Sequence, residues 1–207
     1  MSPFTTVHSV AAPMPDADID TDIIFPARFL VLTQKSGLGP QAFHDQRFDA
    51  QGQARPDFVL HRQPWQGAAI LVAGANFGCG SSREQAPWAL ADLGLRCLIA
   101  PSFGEIFEAN CLNNGLLPIR LPPAEHARLL AAAQAAQMLT VDLQACTITL
   151  PDQPALSFAI AERARLSLLE GRDEIDRIRQ QHGEQISAFE QSRRQAQPWL
   201  FDDLLGA

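Results

Sequence analysis

The segment that decides the fold of this 207-residue chain runs from Ala68 to Asp92 and reads AAILVAGANFGCGSSREQAPWALAD. Its apolar start, Ala69 to Val72, is typical of a buried strand, and the apolar residues near its end recur with helical spacing. Several glycines separate the two parts, and glycine permits backbone conformations that other residues avoid. We therefore predict a strand, a glycine-rich loop and a helix that opens with Ser81 to Glu84.

The glycine-rich loop ends in residues that can bind an anion. Gly78 and Gly80 permit a tight turn just before the predicted helix. A helix N-terminus presents unpaired N–H groups and about half a positive charge, so it favours an anionic ligand. Arg83 adds a planar guanidinium that can bind a carboxylate through two hydrogen bonds. A second interpretation stays open on these residues alone, in which Ser81 and Glu84 form a Ser-x-x-Glu capping box and bind no ligand.

Two common glycine-rich phosphate-binding motifs do not match this loop. A dinucleotide fingerprint requires Gly-x-Gly-x-x-Gly, but Arg83 stands where the third glycine belongs. A P-loop requires Gly-Lys-Ser or Gly-Lys-Thr, and the segment contains no lysine. We therefore exclude both nucleotide-binding classes.

Several segments of the chain together resemble one protein family. They are DTDIIFP at 20–26, NFGCGSSRE at 76–84, PSFGEIF at 101–107, NCLNNGLLP at 110–118 and LLEGRDEI at 168–175. The chain resembles the aconitase swivel-domain superfamily, in the form found in the small subunits of bacterial 3-isopropylmalate dehydratases. The segments follow in the family's order and span nearly the whole chain, so the resemblance is far more specific than a single loop.

The resemblance implies an α/β fold, namely an aconitase-like swivelling β/β/α domain with a mostly parallel sheet, crossover helices and a C-terminal helical extension. We predict the swivel domain in residues 1–160 and the extension, packed on that domain or on a partner subunit, in residues 161–207. Patterning alone predicts strands at 69–72, 97–100, 139–143 and 146–150, helices at 83–93, 104–113 and 124–137, and a loop-rich region up to about 59.

The last part of the chain shows a charged helical pattern over residues 160–194. Its predicted apolar face consists of Leu166, Leu169, Ile175, Ile178, Ile186 and Phe189. The final segment, Leu200 to Leu205, carries apolar side chains but no reactive group, so we expect it to dock or to lie at an interface.

Composition and charge restrict the partners of the chain. Hydrophobic residues make up 46% of the sequence, which is enough for one sizeable core. The formal net charge of −7 argues against nucleic acid or an anionic membrane surface as a partner. No apolar stretch is long enough to span a bilayer, and the first residues lack the basic and apolar regions of an export signal. We therefore expect a cytoplasmic protein.

The four cysteines lie far apart in the sequence and form no Cys-x-x-Cys pair. We predict free thiols, with Cys97 and Cys111 in the core. Iron–sulfur and zinc sites usually have clustered ligands, so we predict no metal bound by this chain alone. The resemblance implies that a 4Fe–4S cluster is carried by the cysteines of a large partner subunit, where iron would act as a Lewis acid on the substrate hydroxyl. This chain would then supply part of a shared active site.

The resemblance also implies roles for the loop residues in the dehydration and rehydration of a small 2-hydroxydicarboxylate. Ser81 would be the base for the carbon-bound proton, which requires an alkoxide or near-alkoxide held by backbone N–H groups and the helix field. Ser82 would hydrogen-bond a substrate carboxylate, and Arg83 would pair with it. Loop-shaping roles would fall to Gly78, Gly80, Asp20, Thr21 and Asp22.

Specificity in this family is expected to rest on the loop after the Asp-Thr-Asp signature, which here runs from Arg28 to Leu32. Its apolar residues, Val31 and Leu32 among them, suit an isopropyl group, whose burial contributes about 2 kcal/mol. Relatives that take a substrate with an extra carboxylate tend to place an arginine at position 31. Two alternatives stay open: Phe29 and Leu30 can be core residues, and Arg28 can be a carboxylate clamp or a surface charge.

One residue departs from the family motif, because Gln85 stands where the family usually has histidine. Glutamine keeps a hydrogen bond but cannot titrate.

From the resemblance, we predict the isomerisation of 2- and 3-isopropylmalate in leucine biosynthesis, catalysed together with the iron–sulfur subunit. Two alternatives remain: a paralogous subunit that serves another alkyl-substituted malate, and a non-catalytic swivel-domain binding module.

Overall fold

The computed structural model describes residues 1–201 of the chain, with the side chain of residue 174 left out. Its contacts divide the chain into a unit of residues Met1–Gly171 and a second unit that begins at Arg172. The predicted division into residues 1–160 and 161–207 stays a prediction. Most of the segment expected to dock, residues 202–205, lies outside the described residues. None of the described helices is long and apolar enough to cross a membrane.

The first unit is built on a seven-stranded sheet. Its strands are β1 (Thr6–Met14), β2 (Ile70–Ala73), β3 (Cys97–Ala100), β4 (Leu117–Arg120), β5 (Met138–Asp142), β6 (Thr147–Thr149) and β7 (Leu156–Ser157). The order is β4-β3-β2-β1-β5-β6-β7, with parallel pairing from β1 through β4 and antiparallel pairing from β1 through β5 to β7. The predicted α/β class is confirmed.

Helices cover both faces of this sheet. The helices of the first unit are α1 (Thr21–Ile24), α2 (His44–Arg47), α3 (Gln85–Asp92), α4 (Glu105–Asn113), α5 (Pro123–Gln134) and α6 (Glu162–Glu170), with short 3₁₀ turns at Ala27–Phe29, Gly39–Gln41 and Val59–His61. The second unit, described by itself, contains α7 (Glu174–Ala196) and a 3₁₀ turn at Pro198–Leu200. Leu71 of β2 packs in the core shared with α3 and α4, whereas its neighbour Ile70 packs in the core shared with α5 and α6. Burial on both faces explains the uninterrupted apolar run of β2.

Strand β1 was missed by sequence analysis, because we expected only loops in this region; the predicted strands also leave out β4 and β7. The strand pairs with β2 on one side and with β5 on the other, so it joins the parallel and antiparallel parts of the sheet. Ala11 and Ala12 in its middle are fully buried, on opposite faces. Alanine and proline have low strand propensity, so pairing with both neighbours, rather than local preference, makes this segment a strand.

The region predicted to be helical, residues 160–194, forms two helices, α6 and α7. It breaks at Gly171, whose left-handed backbone (φ of +66°) ends α6. Leu168, which was not among the predicted apolar positions, is fully buried against the sheet, and Leu169 is partly buried beside it. Four residues of the predicted apolar face have exposed side chains, namely Leu166, Ile175, Ile178 and Phe189.

Candidate active site

The serine loop, residues 76–84, lies at the carboxyl end of β2, beside the segment that follows β3. Carboxyl ends of adjacent parallel strands meet at one edge of a sheet, which is the usual place for a ligand site in this class of fold. A cavity of about 280 Å³ opens there. It is lined by Thr21, Gly78, Cys79, Gly80, Ser81, Arg83, Gly104, Glu105, Ile106 and Phe107.

The Asp-Thr-Asp signature lies against the serine loop and holds its backbone. Asp20 caps α1 through a 2.8 Å hydrogen bond that its side chain accepts from the backbone N–H of Ile23. The backbone N–H of Thr21 donates to the carbonyl of Cys79 at 2.9 Å, and its hydroxyl donates to the carbonyl of Ser81 at 2.8 Å. Thr21 is only 2% exposed, so these two bonds fix the loop from the protein interior.

Arg83 is held by the third residue of the signature, Asp22. Its two terminal nitrogens each donate to one oxygen of the Asp22 carboxylate, with the Nη2 bond at 2.7 Å, and Nη1 also donates to the carbonyl of Phe25 at 3.3 Å. These bonds lower the pKa of Asp22, so its carboxylate is charged at neutral pH. A guanidinium has five N–H groups, so the groups not used by Asp22 and Phe25 remain to bind a second carboxylate.

Two loops approach each other so closely at the cavity that only glycine fits. Gly78 has a left-handed backbone with a φ of +73°, and a Cβ atom there would overlap the ring of Phe107. A Cβ atom at Gly104 would overlap the carbonyl oxygen of Gly78. Gly80 also has a left-handed backbone, with a φ of +87°. These glycines therefore allow the loops after β2 and β3 to form one wall of the cavity.

We expect Gly78→Ala to lower the free energy of unfolding by about 3 kcal/mol, because it adds overlap with Phe107 to left-handed backbone strain. Gly52→Ala is the matched control: its φ is +76°, but nothing lies within 4 Å of the added Cβ atom. It should cost about 1 kcal/mol. Urea denaturation of the two variants measures both losses, and equal losses would show that the close approach at Gly78 is unimportant.

The structure decides against the capping interpretation of Ser81 and Glu84. Helix α3 begins only at Gln85, and its N-cap, Glu84, makes no side-chain capping bond. The expectation that Ser81 opens the helix is therefore wrong. Both Ser81 and Ser82 are exposed, and no group in residues 1–201 hydrogen-bonds to either hydroxyl. Their hydroxyls are thus available to a ligand.

Helix α4 contributes to the cavity in a way that sequence analysis missed. Its N-cap is Gly104, which has no side chain to cap the helix, and Glu105 and Ile106 of its first turn line the cavity. The unpaired N–H groups of this turn add to the positive field at the site. The signal was present, because a second parallel strand followed by a helix must end at the same sheet edge as the first.

The predicted specificity loop lies on the surface. Val31 is 81% exposed and Leu32 is 38% exposed, whereas Phe29 and Leu30 are partly buried against the core. Arg28 is exposed and forms an ion pair with Asp45, and its Nη2 lies 3.0 Å from Nδ1 of His44. Residues 28–32 are not among those that line the cavity beside Ser81. The structure therefore does not bring this loop and the serine loop together, and its role stays a prediction.

The cysteines of this chain do not suit a metal cluster. All four are free, and Cys97 and Cys111 are fully buried as predicted. Burial raises the pKa of both thiols well above the usual range. Cys79 lines the cavity, where desolvation and the nearby carboxylates of Asp20 and Asp18 raise its pKa. No group of three potential ligands in residues 1–201 can hold a metal ion. These donors therefore do not fit a 4Fe–4S cluster.

Three protein-family models match different parts of the chain. Residues 1–124 match the aconitase C-terminal domain. Residues 127–162 match the model described as LeuD_N, and residues 181–203 match the C-terminal domain of the 3-isopropylmalate dehydratase small subunit.

Relatives of the chain are similar over nearly its full length. A 3-isopropylmalate dehydratase small subunit from Paramagnetospirillum magneticum is 47% identical, covering 97% of this chain and 100% of the relative. One from Gluconacetobacter diazotrophicus is 49% identical, covering 96% and 97%. The crystal structure of a 3-isopropylmalate dehydratase from Methanocaldococcus jannaschii superposes with a TM-score of 0.65 at 25% identity, covering 88% of this chain and 99% of that one. The chain therefore belongs to the aconitase-related family of 3-isopropylmalate dehydratase small subunits.

Proposed function

We propose that this chain acts as the small subunit of a 3-isopropylmalate dehydratase in leucine biosynthesis. The enzyme would interconvert 2- and 3-isopropylmalate by removing water and adding it back at the neighbouring carbon. The observation that carries this proposal is the cavity that brings Ser81 and Arg83 together at the ends of β2 and β3. Near 50% identity to relatives of that name supports the same substrate.

Ser81, Ser82 and Arg83 of the serine loop have geometry suited to their proposed roles. The hydroxyl of Ser81 is exposed at the cavity and has no partner in residues 1–201, so it can reach the carbon-bound proton of a substrate. The positive field from the first turn of α4, which lines the cavity, favours the oxyanion form of this serine. Arg83 would bind a substrate carboxylate with the N–H groups that Asp22 leaves free, and Ser82 would add a hydrogen bond.

We propose that the site is completed by a large subunit, which carries the 4Fe–4S cluster. The likeness to the aconitase family supports this assignment, and the cysteines described above fit no such cluster. We also propose that the C-terminal extension, residues 161–207, packs on the swivel domain or on the large subunit. The cytoplasmic location stays a prediction.

Reconstitution with the large subunit tests the proposed function. We expect the chain alone to be inactive, and the complex to interconvert 2- and 3-isopropylmalate, measured by chromatography of the two isomers. A complex that turns over a methyl-substituted malate but not isopropylmalate would favour the paralogue alternative. A complex that assembles and turns over neither would favour the binding module. Turnover by the chain alone would contradict the shared active site.

Val31→Arg tests whether the predicted specificity loop, residues 28–32, selects the substrate. If position 31 faces the substrate side group in the complex, an arginine there is desolvated against isopropyl but forms a charge-assisted pair with a carboxylate. The ratio of kcat/KM for a malate with a second carboxylate arm to that for isopropylmalate should then rise about 10- to 100-fold. Gln85→His, at the start of α3, is the control and should leave the ratio unchanged. An unchanged ratio in Val31→Arg would show that the loop does not select the substrate.

A further inference from the structure

The chain has one lysine among its 16 basic residues, and this lysine, Lys35, occupies an unusual position. It lies in the middle of the segment 31–37, in which every residue is exposed. The segment is fixed at its end, where Leu38 is buried and the backbone N–H of Gly39 donates to the carboxylate of Asp92 at 2.7 Å. We name residues 31–37 the surface loop segment. It begins with Val31, a residue proposed above to contact substrate.

Lys35 is the residue that ties the surface loop segment to the body of the protein. Its Nζ lies 4.9 Å from the centroid of the Trp88 ring and 3.5 Å from Oδ1 of Asn114. Within the described part of the chain, the other side chains of this segment make no hydrogen bond, ion pair or ring contact. A cation over an aromatic ring at an exposed site stabilises a contact about two- to fivefold.

The two residues under Lys35, Trp88 and Asn114, connect helix α3 with the end of helix α4, whose first turn lines the cavity. Trp88 belongs to α3, and its ring N–H donates to Oδ1 of Asn114 at 2.8 Å. Asn114 ends α4, where its amide donates to the carbonyl of Asn110 at 2.8 Å and lies 3.5 Å from a carboxylate oxygen of Glu84. Glu84 directly follows Arg83 in the chain. The contact of Lys35 with Trp88 and Asn114 therefore connects the surface loop segment, through Glu84, to the serine loop.

We propose that Lys35 is a positioning residue that latches the surface loop segment onto Trp88 and Asn114, so that Val31 and Leu32 keep one arrangement in which they meet the substrate in the complex with the large subunit. The substrate part of this proposal rests on the proposed function, whereas the latch itself does not. A segment that is already ordered loses less conformational entropy when substrate binds. Loss of the latch should therefore raise KM and leave kcat unchanged, because Ser81 and Arg83 are not disturbed.

Proteolysis of the full chain tests the latch directly. A protease that cleaves only after lysine has one site in this chain, Lys35 itself. Trp88→Leu removes the ring, and the cleavage rate should rise about two- to fivefold, because it follows the population of the open segment. Trp88→Phe is the matched control, since it keeps a ring under the cation, and should change the rate less. Equal cleavage rates at Lys35 in wild type and Trp88→Leu would overturn the latch. It would also be overturned if an arginine-specific protease cleaved Trp88→Leu faster at Arg96 by the same factor, because that would show a general loosening of the fold.

Kinetics of the complex with the large subunit test the positioning role. Lys35→Gln should raise KM for isopropylmalate about two- to fivefold at unchanged kcat, and Lys35→Arg should restore KM because it keeps the cation. Ser36→Ala, a neighbour without a side-chain contact in residues 1–201, should leave both constants unchanged. An unchanged KM in Lys35→Gln would overturn the positioning role. A complex without any turnover of isopropylmalate would instead overturn the proposed function, while the proteolysis still decides on the latch.

Discussion

Ser81→Ala should lower kcat of the complex with the large subunit by about 100- to 10,000-fold while KM for isopropylmalate stays nearly constant. The serine hydroxyl is proposed to take the carbon-bound proton, an interaction made in the transition state rather than in substrate binding. Alanine removes this oxygen and nothing else, since the backbone carbonyl that Thr21 holds is retained. Steady-state kinetics with both isopropylmalate isomers measure the effect.

The stability of Ser81→Ala provides the control for this experiment. The side chain is exposed and makes no hydrogen bond within residues 1–201, so its removal should leave the thermal unfolding midpoint unchanged. A loss of activity then reflects chemistry rather than folding. Near-normal turnover in a folded Ser81→Ala complex would show that another group is the base.

Arg83→Lys should raise KM about 10- to 100-fold and lower kcat as well. Lysine keeps the charge but cannot reproduce the two parallel bonds to Asp22, nor offer a planar pair of donors to a substrate carboxylate. A charge-assisted hydrogen bond contributes about 1.5–3 kcal/mol, which sets this range. The kinetics of the variant, compared with those of wild type at saturating large subunit, measure both constants.

Asp22→Asn is the matched variant for Arg83→Lys. It keeps the size of the side chain but removes the charge that orients Arg83, while the guanidinium itself stays available to substrate. We expect a smaller rise in KM than in Arg83→Lys. A rise equal to that of Arg83→Lys would mean that the ion pair, rather than a bond from Arg83 to substrate, sets the affinity. Loss of affinity in neither variant would exclude Arg83 as the carboxylate clamp.

The ion pair between Arg83 and Asp22 stabilises the folded site in a way that depends on pH. Arg83 lowers the pKa of Asp22 below its ordinary value of 3.8. A carboxyl group with a lowered pKa in the folded state stabilises that state above the ordinary value, and this contribution disappears as the pH falls through the lowered pKa. The pair is therefore intact throughout the neutral range.

The parts of the site that sequence analysis found are those encoded by short, contiguous patterns. The apolar run before Gly74 predicted β2, and the structure shifts the strand by one residue. The Asp-Thr-Asp signature and the serine loop were joined through the family resemblance, and the structure shows how: Asp22 pairs with Arg83, and Thr21 with Ser81. Neither contact follows from spacing, because each partner lies about 60 residues away.

The parts that sequence analysis missed depend on contacts distant in sequence. Strand β1 has weak strand propensity and forms because β2 and β5 offer pairing on both sides. The first turn of α4 joins the cavity because β3 lies beside β2 in the sheet. The latch of Lys35 joins three segments, and a lone lysine in a polar stretch gives no signal of its own. Each of these features depends on segments that only the folded chain brings together.

A competition experiment tests most directly whether this chain brings Ser81 to an active site shared with a large subunit. Wild-type chain and Ser81→Ala chain are mixed in equal amounts, each in excess over a fixed quantity of large subunit, and isopropylmalate turnover is measured. Since Ser81→Ala keeps the surface and the folded loop, it should occupy the large subunit without turnover and reduce activity to about half. Full activity in the mixture would contradict the shared site, because it would show either that the variant chain turns over substrate or that it does not occupy the same place on the large subunit.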